Sequence, residues 1–139
     1  MRHVVAAGGL VGLAVVLLLG AFWPTQASAE AQLDVLMRER LNPAFTSVSY
    51  ELFHRPGPPG DRREDILRAL EHLHTQTKAL VAFPMPDGDT IPFRIHATTL
   101  HRDVGAMLEA AGSGDDAQVQ HWFQHVQATC NGCHEQYRF

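Results

Sequence analysis

Cysteine is almost missing from this chain: there are two in 139 residues, at positions 130 and 133. Two thiols three residues apart build no disulfide framework. Positive charge is not in excess either, because eleven Lys and Arg face fifteen Asp and Glu, for a net charge of −4. A mildly acidic chain is a poor match for nucleic acid or for an anionic membrane surface. Strand patterns are absent as well, since no stretch alternates apolar and polar residues over a useful length. The length is that of one domain.

Only one long apolar run is present, and it lies at the N-terminus. Met1-Arg2-His3 is a short basic start, residues 4–22 carry no charge, and Pro24 then breaks any helix. Ala27-Ser28-Ala29 supplies the small residues a signal peptidase needs. The run is long enough to span a bilayer as an uncleaved anchor, but the proline and the A-x-A site favour a signal peptide over residues 1–29, cut after Ala29. The mature domain is then residues 30–139, with ten basic and fifteen acidic side chains and a net charge of −5.

The two cysteines belong to Cys130-Asn131-Gly132-Cys133-His134. C-x-x-C-H is the attachment signature of a c-type haem. Each thiol can add across one of the porphyrin's two vinyl groups, and the adjacent histidine is placed to take an axial position on the iron. A thioredoxin-like redox pair would need a βαβ unit, for which there is neither a strand upstream nor enough chain downstream. A zinc site would need His134 and one more of the nine histidines. A local disulfide is the plainest alternative. Covalent haem attachment takes place outside the cytoplasm, so the export signal and the motif support each other, and the expected cofactor is one haem c held through Cys130 and Cys133.

The rest of the mature chain reads as four helices separated by Gly/Pro/Asp-rich breaks. Leu33, Leu36, Met37, Leu41, Phe45, Val48 and Leu52 recur at helical spacing over residues 31–53, with Pro43 predicting a kink or two shorter helices. Asp61 with Glu64 reads as a capping box for a second helix, whose face is Ile66, Leu67, Leu70, Leu73, Thr77, Leu80 and Val81. The run Arg62-Arg63-Glu64-Asp65 reads as a solvated first turn. Phe93, Ala97, Leu100, Val104, Met107 and Ala111 form the seam of a third helix. Asp115 with Gln118 opens the fourth, which carries Val119, Trp122, Phe123, Val126, Cys130, Cys133 and Tyr137 on one face. Short connections make this an all-α, antiparallel up-down-up-down four-helix bundle with the haem on the C-terminal helix.

That topology puts the haem motif beside the start of helix 1, the loop between helices 2 and 3, and the start of helix 3. Met37, Met85 and His96 are therefore the candidates opposite His134, and an empty sixth position is the other option. Met37 is favoured because a thioether suits haem iron and it sits at the right level of helix 1. Met107 lies at the far end of helix 3 and reads as core filler. His54 falls in the opposite loop, and His121 and His125 lie too far along helix 4. His72, His74 and His101 read as helix-surface residues. Leu33, Leu36, Leu41, Phe93, Ala97 and Phe123 are candidates for the apolar wall around the ring.

The layout resembles the class II c-type cytochromes, the cytochrome c′ group. The family pattern C-x-x-C-H-x-x-[YF]-R is matched by Cys130, Cys133, His134, Tyr137 and Arg138. The resemblance spans the mature chain in layout but is specific only over the last twenty-odd residues. It implies a site of Cys130, Cys133, His134, Met37 and Arg138, with Leu36-Met37-Arg38 similar to the methionine segment of the low-spin branch. The family often has an arginine one turn before the distal residue, facing a propionate. Here that position is Leu33, leaving Arg38 or Arg40 as substitutes.

The function implied is that of a periplasmic bacterial carrier of single electrons between redox partner proteins, with no catalytic residues. It involves no nucleic acid and no membrane after signal cleavage; whether the bundle forms a homodimer through its first two helices is left open. The alternative is a five-coordinate NO/CO-binding haem protein in which Met37 only packs over the iron. Mass spectrometry of the exported protein is expected to give an N-terminus at Glu30 and the added mass of one haem. An unmodified mass, or zinc in place of haem, would remove the basis for both readings.

Overall fold

A computed structural model describes residues 26–85 and 90–137. Among the described residues there is no strand, and four helical rods pack against one another as a bundle. We label them α1 (residues 26–54), α2 (Arg63–Val81), α3 (Thr90–Ser113) and α4 (Asp116–Gln136). Most of the signal segment lies outside the described residues, and the described part of α1 begins at Gln26, upstream of the expected cleavage point. No described helix is long and apolar enough to cross a membrane.

The expected interruption at Pro43 takes a different form. α1 continues through it as an α-helix over Gln26–Val35, a wide π turn over Leu36–Leu41, an α-helix over Asn42–Ser49 and a second π turn over Tyr50–His54. Proline lacks an N–H and its ring crowds the carbonyl one turn back. The wide turn just before it absorbs that conflict: the Asn42 N–H reaches back five residues to the Met37 carbonyl, and helical backbone angles are kept. The buried positions follow the same step, since Leu36 and Leu41 are five apart whereas Leu41, Ala44 and Val48 are three and four apart. Arg55 precedes Pro56 and is extended (ψ 131°), which ends α1.

The sequence reading of the start of α2 needs two corrections. Asp61 does not cap it: a 3-10 turn, Pro59–Arg62, leads in, and the N-cap position is Arg62 without a side-chain cap. Nor is the first turn fully solvated. Arg62 is buried, and its guanidinium donates to the Glu51 carbonyl at the end of α1, where helical partners run out. Asp65 is half-buried and accepts from Arg55 at 2.5 Å and from Arg68 at 3.0 Å.

At the α3–α4 corner the local chemistry matches expectation. Gly114 has φ +78°, its N–H bonds Ala111 and the Asp115 N–H bonds Ala110, a Schellman ending that needs a residue without a side chain. A Cβ there would also run into the Arg63 guanidinium. Asp115 then accepts from the Gln118 N–H at 3.0 Å and starts α4.

The predicted apolar faces meet in one core that includes Leu33, Val48, Leu70, Leu73, Phe93, Val104, Met107 and Val126. His74 and His101, read from the sequence as surface residues, are instead half-buried between α2 and α3. Their rings stack at 4.2 Å between centroids, 9° from parallel. The Thr77 hydroxyl donates to the His74 carbonyl and lies 2.9 Å from His101 Nδ1, so this nitrogen is the donor of that pair. Burial, then the neighbouring charges of His74 and Lys78, pushes the His101 pKa below the ordinary 6.5. The unfolded chain therefore takes up a proton that the folded one resists. Stability is expected to be constant above about pH 7 and to fall as the pH drops below about 6.5, the ordinary histidine value. Urea unfolding at a series of pH values measures this, and the His101→Gln variant should flatten the dependence.

Candidate functional site

The geometry of the site begins with a gap. α2 packs on α1, α3 on α2 and α4 on α3, but the backbones of α1 and α4 approach one another at few points. What joins them is aromatic. Phe123 of α4 stacks on Phe45 at 5.3 Å and meets Phe53 edge-on at 4.9 Å. Toward the C-terminus of α4, beyond that contact, the two helices leave a cavity of about 450 Å³.

One wall is Met37, Arg38, Leu41, Asn42 and Phe45 of α1; the other is Cys130, Asn131 and His134 of α4. The bundle thus brings Met37, Cys130 and His134 to the same cavity. Their spacing explains it: Met37, Leu41 and Phe45 step by four along α1, and Cys130 and His134 step by four along α4. Met37 is half-buried, His134 is exposed, and Cys133 points toward the core, at 8% exposure.

Both thiols are free. Burial, reinforced by the charge of Cys133, pushes the Cys130 pKa up to about 11, and burial raises that of Cys133. They are protonated at neutral pH, unlike the thiolates of reactive or zinc-binding pairs. Among the described residues no group of three or more His, Cys, Asp and Glu is arranged to hold a metal ion.

Other residues singled out from the sequence lie elsewhere. His96 is half-buried on α3, and its Cε1 is 3.6 Å from where a Gly132 Cβ would be. Gly132 is on the side of α4 turned away from the cavity, so His96 and Met37 flank opposite sides of the motif. Met85 packs against the core without lining the cavity. Met107 is fully buried, as expected of core. Of the six wall candidates, Leu41 lines the cavity; Phe123 backs it through Phe45; and Leu33, Leu36, Phe93 and Ala97 are buried in the general core. Arg38 lines the cavity and pairs with Asp34 at 2.8 Å, while Arg40 faces a separate groove with Val35 and Phe83. Arg138 lies outside the described residues.

Two features escaped the sequence reading. Phe45 lines the site and bridges the helices, but helical spacing alone marks it only as apolar. Asn42 of α1 and Asn131 of α4 also line the cavity, for which no sequence signal exists. Tyr137 is a different case, read from the sequence as part of the apolar face of α4 and singled out by the resemblance. Its ring is buried edge-on to Phe93 at 5.8 Å, and its N–H bonds the Cys133 carbonyl at 2.8 Å, tying the end of the motif helix to the start of α3.

The Cytochrome C' family model matches residues 89–138. The match covers α3 and α4, little more than a third of the chain, and includes the whole C-x-x-C-H motif. It supports a c-type haem protein of class II. It does not reach α1, where Met37 stands. No curated protein and no solved structure gives a significant match. The residues present fit a haem: the cavity falls in the range of about 300–1,000 Å³ usual for cofactor sites, most of its lining surface is apolar, and a thiol and an imidazole share one wall.

Phe45→Ala is expected to lower stability by about 2–3 kcal/mol, somewhat less than the ~3–5 kcal/mol of a fully buried phenylalanine. The loss should appear as a lower urea midpoint at an unchanged slope.

Proposed function

We propose that this chain is an exported, periplasmic c-type cytochrome that carries single electrons between protein partners. The observation that carries the proposal is the shared cavity of Met37, Cys130 and His134. In this reading Cys130 and Cys133 would tether a haem as two thioethers, each S–H adding across one vinyl group with no net oxidation. A bound haem supplies a one-electron iron couple at the cavity. His134 on α4 would hold the iron, and Met37 on α1 would be its second protein ligand. Leu41 and Phe45 would keep water from that side, Arg38 is the cavity cation available to a propionate, and the resemblance adds Arg138 to the cofactor-binding residues. Soft thioether ligation raises the reduction potential. A ligand pair unchanged between oxidation states suits a carrier rather than a catalyst. Residues 1–29 act as the cleaved signal peptide. A homodimer, if formed, would pair through α1 and α2, where Val35 is exposed.

A second reading is supported by the family match itself, because it fits a five-coordinate, gas-binding cytochrome c′ at least as well. There Met37 packs over an open position instead of binding. The reduced optical spectrum separates the two: sharp α and β bands for six-coordinate iron, one broad band for five-coordinate iron. Met37→Ala is expected to convert the sharp spectrum into the broad one and to open the site to CO. A wild-type protein that already shows the broad band establishes the second reading. A sharp spectrum unaffected by Met37→Ala moves the ligand to another residue.

A further inference from the structure

On the side of α4 turned away from the cavity, two histidines have no part in the function above. His121 and His125 are four residues apart, so they lie one turn above the other on the same helix face. Both are exposed. Their ring centroids are 4.6 Å apart with planes inclined at 60°. Two imidazoles in cis positions on one ion, at a metal–nitrogen distance of about 2.0–2.1 Å, sit about 4.5 Å centre to centre in the tetragonal geometry of copper(II) and about 5 Å in a tetrahedral one. The ring separation is therefore compatible with chelation of one ion without any helix movement.

Trp122 restricts both rings. It is half-buried, and its ring lies 5.5 Å from that of His121 and 5.5 Å from that of His125. Anchored in this way, it limits the rotamers that the imidazoles would otherwise explore, which lowers the entropy cost of binding an ion.

We propose that His121 and His125 form a two-histidine site for a divalent first-row transition-metal ion, with copper(II) bound most tightly. Imidazole nitrogen suits copper, zinc and nickel, and for a given nitrogen site copper(II) leads the series. Water completes the coordination, because the site faces solvent. The acidic net charge of −4 favours a cation over an anion at this surface. The site is separate from the cavity: His125 precedes Cys130 by five residues, about 7.5 Å along the axis, and faces the other way. It holds whether the iron is five- or six-coordinate.

The test uses the full protein as purified, with its cofactor in place. Calorimetric titration with copper(II) is expected to give one tight site per chain, and the copper EPR spectrum should show coupling to two nitrogens. Replacing either partner, His121→Gln or His125→Gln, should weaken binding at least about tenfold, and the double variant should lose the site. Haem absorption and helix content should stay unchanged, and His72→Gln should bind as the wild type does. Copper affinity unaltered in the double variant, or coupling to a single nitrogen, would overturn the proposal.

Discussion

The contact on which this architecture turns is the aromatic bridge between the first and last helices. Phe45 and Phe53 hold Phe123 between them, and little else brings α1 and α4 together. A bundle closed along its whole length would leave no room beside Cys130. A bundle open along its whole length would expose the apolar stripes of both helices. Closing it at one level with large flat rings, and leaving the next level open, makes a cavity whose walls are already set before any cofactor is considered. Phe45 stands at the boundary, since it packs on Phe123 and lines the cavity below.

The wide turns of α1 serve the same end. A residue pair buried five apart, Leu36 and Leu41, cannot share a face in a regular α-helix, where the same side returns after three or four. Within the π turn both are buried, and Met37 of the same turn lines the cavity wall with Leu41. Wide turns are frequent at functional sites, and here Pro43 gives the turn a local cause. Tyr137 performs the matching task on α4, because its ring against Phe93 and its bond to the Cys133 carbonyl hold the last turn in place.

The polar groups in the interior follow from the same packing. Arg62 is drawn inward because the end of α1 presents a carbonyl without a helical partner. His74 and His101 share the seam between α2 and α3 because Thr77 gives one ring a hydrogen-bond partner and each ring gives the other an apolar face. Asp103, almost fully buried, keeps its charge compensated by Arg102 at 2.9 Å and lies near Thr129 of α4. Among the described residues no buried side-chain nitrogen or oxygen is without a partner, as the cost of stripping water from such groups requires.

The spacing of apolar residues was enough to find four helices, their inward faces and their antiparallel order, because a helix must bury one stripe and short breaks leave only the neighbouring position to occupy. The C-x-x-C-H motif pointed to a haem because thiols and imidazole at that spacing have few other uses, and the family match over α3 and α4 agrees with a c-type haem protein. The start of α2 misled the sequence reading: Asp61 and Glu64 match a local capping pattern, but a distant carbonyl recruited Arg62 and a 3-10 turn took the place of the cap. Likewise nothing local distinguishes His74 and His101 from His72, since their burial depends on which side of α2 meets α3. That Met37 faces Cys130 and His134, that His96 lies on the other side, and that Phe45 joins the helices are facts of packing between segments far apart in the chain. A helix period reveals which face turns inward; only the assembled bundle decides what that face meets, because the partner is chosen by the shape of all four helices at once.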